Sequence, residues 1–163
     1  MKNFEIVTCT PQLRGKFAEI WVPWLRGMTG RDPEPEDLLA VGDPDAFYVK
    51  GGGAVLFALR DGEPVGVVAV KNLGAGVYEF CKLMVMESAR GLGVGRDLVE
   101  ACIDFARHAG GRVLMLQSFR RLEVALRMYE RMGFVTMQPP AQMLVLARTE
   151  IVMGLPLTAG AGD

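Results

Sequence analysis

Cysteine is scarce in this chain: Cys9, Cys81 and Cys102 are the only three in 163 residues. An odd number without metal-like spacing argues against a disulfide framework and a zinc site. The apolar surroundings of Cys81 and Cys102 predict buried, reduced thiols in a cytoplasmic protein. Histidine is scarcer, with His108 standing alone near a predicted helix C-terminus, where it complements the helix dipole. No Ser/His/Asp set is visible. Neither sign of charge dominates: 18 Lys and Arg against 19 Asp and Glu leave a net charge of −1. That excludes a basic footprint for nucleic acid and a polybasic membrane anchor. No apolar run approaches a membrane span, and no signal-peptide pattern follows the Met-Lys-Asn-Phe start. Apolar residues make up 50% and charged residues 23%, as in a soluble globular protein, and one domain over residues 1–163 is expected.

Glycine, by contrast, is plentiful, and one cluster of it organises the chain: Arg90-Gly91-Leu92-Gly93-Val94-Gly95-Arg96. An apolar strand-like segment, Val77 to Met86, precedes it. A helical segment follows, in which Leu98, Val99, Cys102, Ile103, Phe105 and Ala106 form one apolar stripe. Strand, glycine turn, helix is the layout of an anion-binding turn. Glycines let the backbone approach a ligand, and the unpaired N–H groups of the first helical turn point at it. An arginine at each end favours a phosphate or pyrophosphate guest. The competing reading is a surface turn without a ligand.

Two phosphate signatures are missing. No Gly-x-x-x-x-Gly-Lys-Ser/Thr pattern exists for a P-loop. A dinucleotide fingerprint counted from Gly91 requires glycine at 96, where Arg96 stands, and an acidic residue after the next strand, which ends in Gln117-Ser118.

In chain order, Phe4 to Val7 reads as a strand. Pro11 opens a predicted helix carrying Leu13, Phe17, Ile20, Trp21, Trp24 and Leu25 on one side, with Pro23 as a point of kinking. Residues Gly27 to Gly53 read as an irregular connection with one helical turn at Pro35 to Val41. So long a connection is usually functional, here as a wall of an acceptor pocket. Ala54 to Leu59 and Val65 to Val70 form a hairpin around Arg60-Asp61-Gly62-Glu63-Pro64. The strand Val77 to Val85 completes the meander. After the glycine loop and a helix to about His108 come the strand Val113 to Gln117 and the helix Leu122 to Met132, with Gly133 as its cap. Phe134 to Met137 and Glu150 to Leu157 supply the last strands, and a frayed tail is expected from Thr158.

Strict alternation along Val77 to Val85 places Glu79, Cys81, Leu83 and Val85 on one face and Tyr78, Phe80, Lys82 and Met84 on the other. A carboxylate amid an apolar strand requires solvent, a partner or a function. Glu79 is therefore either a general base or half of an ion pair with Lys82 or Lys71.

Arg90-Gly91-Leu92-Gly93-Val94-Gly95 satisfies Arg/Gln-x-x-Gly-x-Gly/Ala, and the run Ala125 to Phe134 satisfies A-x-x-x-Y-x-x-x-G-F. Together these resemble the GCN5-related N-acetyltransferase superfamily. Gly52 to Ala58, Asp61 to Gly66, Glu79 to Leu83, and Arg148, Glu150, Ile151 and Met153 extend the resemblance over roughly residues 50 to 157.

The resemblance implies an α/β (α+β) fold: a mixed, mostly antiparallel sheet of six or seven strands with helices on both faces. Its central pair, Val77–Val85 and Val113–Gln117, runs parallel and splays apart to admit acetyl-CoA. Main-chain groups around Met84, Val85 and Met86 are implied to pair with the pantetheine arm. The amides of Leu92, Gly93, Val94, Gly95 and Arg96 are implied to hold the pyrophosphate, with Gly91 in the same cofactor-binding turn and the side chains of Arg90 and Arg96 either assisting or simply solvated. Tyr129 occupies the position of the family tyrosine beside the thioester sulfur. A phenol titrating near about 10 can return a proton to a thiolate whose acid titrates near about 8.5; otherwise Tyr129 is a core tyrosine. Phe119 and Leu122 stand where many relatives carry asparagine, leaving Ser118 as the local side-chain donor, and Leu146 stands where the related subgroup has tyrosine. The implied activity is transfer of an acetyl group to a primary amine of a small molecule or amino-acid-like acceptor in a ternary complex, and family habit adds a homodimer. A non-catalytic acetyl-CoA- or CoA-binding sensor, and a nucleotide-binding protein, remain the alternatives.

Overall fold

The computed structural model describes residues 3–157; the tail from Thr158 lies outside the described residues. Among these, seven strands form one sheet: β1 Glu5–Thr8, β2 Ala54–Arg60, β3 Glu63–Gly74, β4 Val77–Val85, β5 Val113–Ser118, β6 Val135–Thr136 and β7 Ile151–Pro156. Their spatial order is β1-β2-β3-β4-β5-β7-β6. Every neighbouring pair is antiparallel except β4 and β5. The helices are α1 Lys16–Thr29, α2 Pro35–Gly42, α3 Val94–His108 and α4 Glu123–Arg131. The mixed, mostly antiparallel sheet with helices on both faces is thus the expected architecture.

Period-two side chains on the sheet meet period-3.6 stripes on the helices. Val55 and Phe57 of β2 join Phe17, Trp21 and Leu25 of α1 and Ala40 and Val41 of α2 in one cluster. Their neighbours Leu56 and Ala58 join Leu98, Val99, Cys102 and Ala106 of α3 in the opposite one. Burying each large side chain contributes about 1.5–3 kcal/mol, so the two clusters clamp the sheet from both sides.

Several boundaries move. The helix predicted from Pro11 starts at Lys16. Pro11 instead opens a separate turn in which the Leu13 and Arg14 amides both donate to Thr10 O at 3.0 Å, and Gly15 makes continuation into the helix less favourable. Pro23 lies inside α1. The connection from Gly27 to Gly53 is more ordered than its composition indicates. It holds α2, started by Pro35 and by a capping box between Glu34 and Asp37, and a π-helical turn at Asp45–Val49.

The largest departure is in β4. Lys82 has φ 59°, and the register with β3 passes from Ala69↔Cys81 to Val67↔Met84, so two residues of β4 oppose one of β3. This β-bulge reverses the side-chain phase. Tyr78 and Phe80 share the α3 side with Leu83 and Val85, whereas Cys81 and Met84 pack on the α1 side. The strict alternation that placed Met84 with Phe80, and Leu83 and Val85 with Cys81, is overturned at that point.

The bulge aims Lys82 toward α2. Its Nζ lies 2.9 Å from Asp37 Oδ1 and 4.9 Å from the ring centre of Trp21. Arg148 grips the same carboxylate, Nη1 to Oδ2 at 2.9 Å and Nη2 to Oδ1 at 3.1 Å. Burial alone raises the Asp37 pKa, but the Arg148 hydrogen bonds, the Lys82 charge and hydrogen bond and the Glu34 amide overcome it and hold the group at about 2. A depressed folded-state pKa gives stability present above the unfolded value of 3.8 and lost as pH falls toward the folded value; the difference corresponds to about 2 kcal/mol. Asp37→Asn strands two cations and is expected to destabilise the protein by about 3 kcal/mol at pH 7. Urea unfolding of wild type and variant, at pH 7 and in steps from pH 4 to pH 2, measures both effects; the gap narrows across the acid series.

Candidate functional site

Strands β4 and β5 are paired through Val77↔Val113, Tyr78↔Leu114 and Glu79↔Met115 only. Beyond Glu79, β4 follows β3 while β5 follows β7 as far as Ser118↔Ile151. The sheet therefore splits along its middle. A cavity in the split brings together Glu79, Tyr129, Gln117, Ser118, Arg148 and Trp21.

Glu79 is 6% exposed and occupies the last paired position before the split. Its Oε2 accepts a hydrogen bond from Gln117 Nε2 at 2.9 Å. Burial raises its pKa, and the Gln117 hydrogen bond with the charges of Lys71 and Lys82 opposes only part of that rise. A carboxylate with a raised pKa is a better proton acceptor than an exposed one. The ion pair predicted with Lys82 does not form, because the bulge delivers that ammonium to Asp37. Lys71 stands across from Glu79 in the β3 register with its Nζ 5.1 Å from the Phe47 ring centre.

Tyr129 reaches the cavity from α4, flanked edge-on by Phe80 at 5.5 Å and Phe134 at 6.0 Å. Burial drives its hydroxyl pKa well above the usual phenol range, with Cys102 adding to the rise. The group is held protonated, a donor rather than a base. Ser118 is buried beside it, and its carbonyl accepts from the Glu150 amide at 3.0 Å.

The open side of β4 leads to the glycine turn. The Met86 amide donates to Val65 O at 2.8 Å, and its carbonyl accepts from the Ala89 amide at 2.9 Å. Antiparallel alternation then turns the N–H and C=O of Val85 toward the split, while Met84 and Met86 face β3. Gly91 and Gly93 have φ 82° and 87°, a left-handed region that other residues enter at a cost. The first bond of α3 runs from the Asp97 amide to Gly93 O at 3.0 Å, so the amides of Val94, Gly95 and Arg96 precede the helical ladder. Val94 is buried and anchors the turn, and a Cβ on Gly95 would lie 3.5 Å from Val85 Cγ2. Leu92 and the side chain of Arg90 are exposed. Arg96 pairs loosely with Glu100 at 3.6 Å, a surface contact worth little.

Of the residues singled out from sequence, Glu79, Tyr129 and Ser118 converge on the cavity, and the 90–96 turn starts α3 next to β4. Residues missed are Gln117 and the Asp37–Lys82–Arg148 cluster. Ser118 is not the sole donor there: the Gln117 amide group contacts Glu79, the Leu144 carbonyl, the Leu146 amide and Thr149 Oγ1. A polar Gln117 ending an apolar strand was the available signal. The stretch from Gly27 to Gly53, expected as a wall, contributes no residue to the cavity lining; its Asp37 instead holds Lys82 and Arg148, which do line it. His108 is exposed, with Nδ1 2.9 Å from Asp104 O, as expected. Among the described residues no helix is long and apolar enough to cross a membrane, and no group of His, Cys, Asp and Glu is arranged to hold a metal ion.

Comparison with known proteins agrees with this fold. An uncharacterised N-acetyltransferase of Schizosaccharomyces pombe is 33% identical over 88 residues, which span 52% of this chain and 54% of that protein; the match thus covers about half of the relative's length. A GNAT-family acetyltransferase structure from Staphylococcus aureus superimposes with a TM-score of 0.87 at 16% identity, covering 94% of this chain and 99% of that one. A Salmonella typhimurium acetyltransferase structure with acetyl-CoA superimposes with a TM-score of 0.73 at 19% identity, covering 98% and 97%. Residues 17–134 match the Acetyltransferase (GNAT) family, and the chain belongs to that family.

Proposed function

We propose that this protein transfers an acetyl group from acetyl-CoA to a primary amine of a small molecule or amino-acid-like acceptor. The observation that carries the reading is the convergence of Glu79 and Tyr129 on one cavity where β4 and β5 part, with the amide-rich start of α3 next to the open edge. Acetyl-CoA supplies an activated thioester. The chain's part is to align it with the amine, which can provide most of the acceleration.

In this reading the amides from Leu92 to Arg96, in the turn opened by Gly91, hold the pyrophosphate, and the Val85 backbone pairs with the pantetheine arm like an added strand. Met84 and Met86 shape that edge without offering their own polar groups. Ser118 flanks the thioester end. Arg90 and Arg96 add positive charge at the mouth. As the new N–C bond forms and the C–S bond breaks, Glu79 takes the proton lost by the nitrogen, directly or through water. Tyr129 donates to the departing sulfur and recovers its proton from solvent. The raised pKa of Glu79 suits the base, and burial keeps the Tyr129 hydroxyl protonated, a hydrogen-bond donor that stabilises the negative charge building on the sulfur.

Tyr129→Phe keeps the ring and removes the donor. It is expected to lower kcat by about 10²-fold or more with acetyl-CoA affinity unchanged, as read by thiol release and calorimetry. Equal turnover in the variant would falsify the acid role. Glu79→Gln is expected to lower kcat and to abolish the acidic limb of the kcat/KM profile, which in wild type falls as pH drops through the raised Glu79 pKa; a limb that survives the substitution removes Glu79 as the base. In thermal-shift measurements acetyl-CoA and CoA are expected to raise Tm while ATP and NAD do not. Gly93→Val, strained at φ 87°, is expected to weaken acetyl-CoA binding at least about tenfold. Thermal protection without thiol release across a broad amine panel would instead assign the protein as a CoA-binding sensor.

A further inference from the structure

We infer that the acceptor carries a carboxylate, and that Arg148 is the residue that reads it. This rests on the proposed transferase reading, since it takes the cavity beside Glu79 as the acceptor's site.

Arg148 is held from behind. Its end-on edge is taken by Asp37, Nη1 to Oδ2 at 2.9 Å and Nη2 to Oδ1 at 3.1 Å. The second Nη1 hydrogen goes to Glu34 Oε2 at 3.2 Å. What remains is the side edge, Nε–H together with the outer Nη2 hydrogen, which has no partner among the described residues. That edge is the fork that matches the two oxygens of a carboxylate. The side chain is 18% exposed and lines the cavity that contains Glu79. Being clamped by two carboxylates, the guanidinium loses little further freedom when a ligand binds.

Two further observations agree. First, charges around the cavity balance: Lys71, Lys82 and Arg148 stand against Glu34, Asp37 and Glu79, the links being the Asp37 ion pairs, the Glu34 ion pair and the influence of Lys71 and Lys82 on Glu79. A neutral zwitterion, ammonium toward Glu79 and carboxylate toward Arg148, preserves that balance, whereas a simple ammonium adds an unmatched charge. Second, Trp21 also lines the cavity, and its buried indole N–H is another donor that lacks an acceptor among the described residues. With Trp21, Trp24 and Leu25 alongside, the site suits an amino acid with an apolar or aromatic side chain.

The test is calorimetric titration of the CoA-bound protein with each of the common α-amino acids and with its α-amide. At least one acid is expected to bind saturably, with its amide at least about tenfold weaker, as follows when a fork that needs two oxygens meets only one. Arg148→Gln is expected to erase the acid-over-amide ratio, and Arg148→Lys, which keeps the charge without the fork, to retain only part of it. CoA affinity is expected to stay unchanged in both. Absence of saturable binding by any acid, amides that bind as well as acids, or a ratio that survives Arg148→Gln overturns the proposal. The wild-type ratio needs no variant, so it stands even if Arg148→Gln fails to fold. Thiol release is read separately: acid-selective binding without release upholds the carboxylate site and overturns the transferase reading. Release at equal rates with acids and amides does the reverse.

Discussion

Two neighbouring strands that stop sharing hydrogen bonds in the middle of a sheet are the constraint on which this structure depends. After Glu79 and Met115 the backbones of β4 and β5 part, and a strand edge that would normally be paired faces a gap. A sheet keeps such a gap only if flanking elements hold its sides. Here β3 and β7 do so, each antiparallel to one arm of the split. The gap is then a slot of strand width, with a glycine-started helix at one end and a buried carboxylate where the arms meet. Those features suit the proposed reaction, which needs an extended arm to be paired, a pyrophosphate to be held and a proton to be moved.

The second requirement is to hold the far wall of the split in place, and a buried carboxylate meets it. Asp37 joins α2, the bulge of β4 and the loop before β7 through two cations. Removing either kind of charge leaves the other uncompensated in a poorly hydrated place, so the three segments keep their relative positions. Gln117 plays a neutral version of the same role. One amide group ties Glu79 to the backbone at Leu144 and Leu146, fixing the carboxylate by a bond that does not cancel its charge.

Most strands and the later helices were legible from periodicity. The turn around Arg90 to Arg96 was legible because its signal is local: glycines supply the left-handed backbone, and an amphipathic stripe starts directly after them. The faces of β4 were not. Alternation is a rule about regular strands, and one extra residue at Lys82 inverts every side chain after it. Nothing local marks that residue as bulged, and the apolar neighbours on both sides tolerate either phase. The order of residues 27–53 was equally hidden, since Gly, Pro and Asp read as loop formers while the capping box of Glu34 and Asp37 and the burial of Tyr48 are cooperative.

By itself the sequence determined most of the strand and helix series, the glycine-rich turn before α3, and the isolated acid and phenol within apolar segments, because these rest on neighbours a few positions apart. Only the tertiary structure decided that the acid bonds to Gln117 rather than Lys82, and that Asp37 binds Lys82 across 45 residues and Arg148 across 111. The reason is physical: a charge settles on whichever opposite charge the packed backbone brings within about 3 Å, and that proximity is set by the register of the whole sheet.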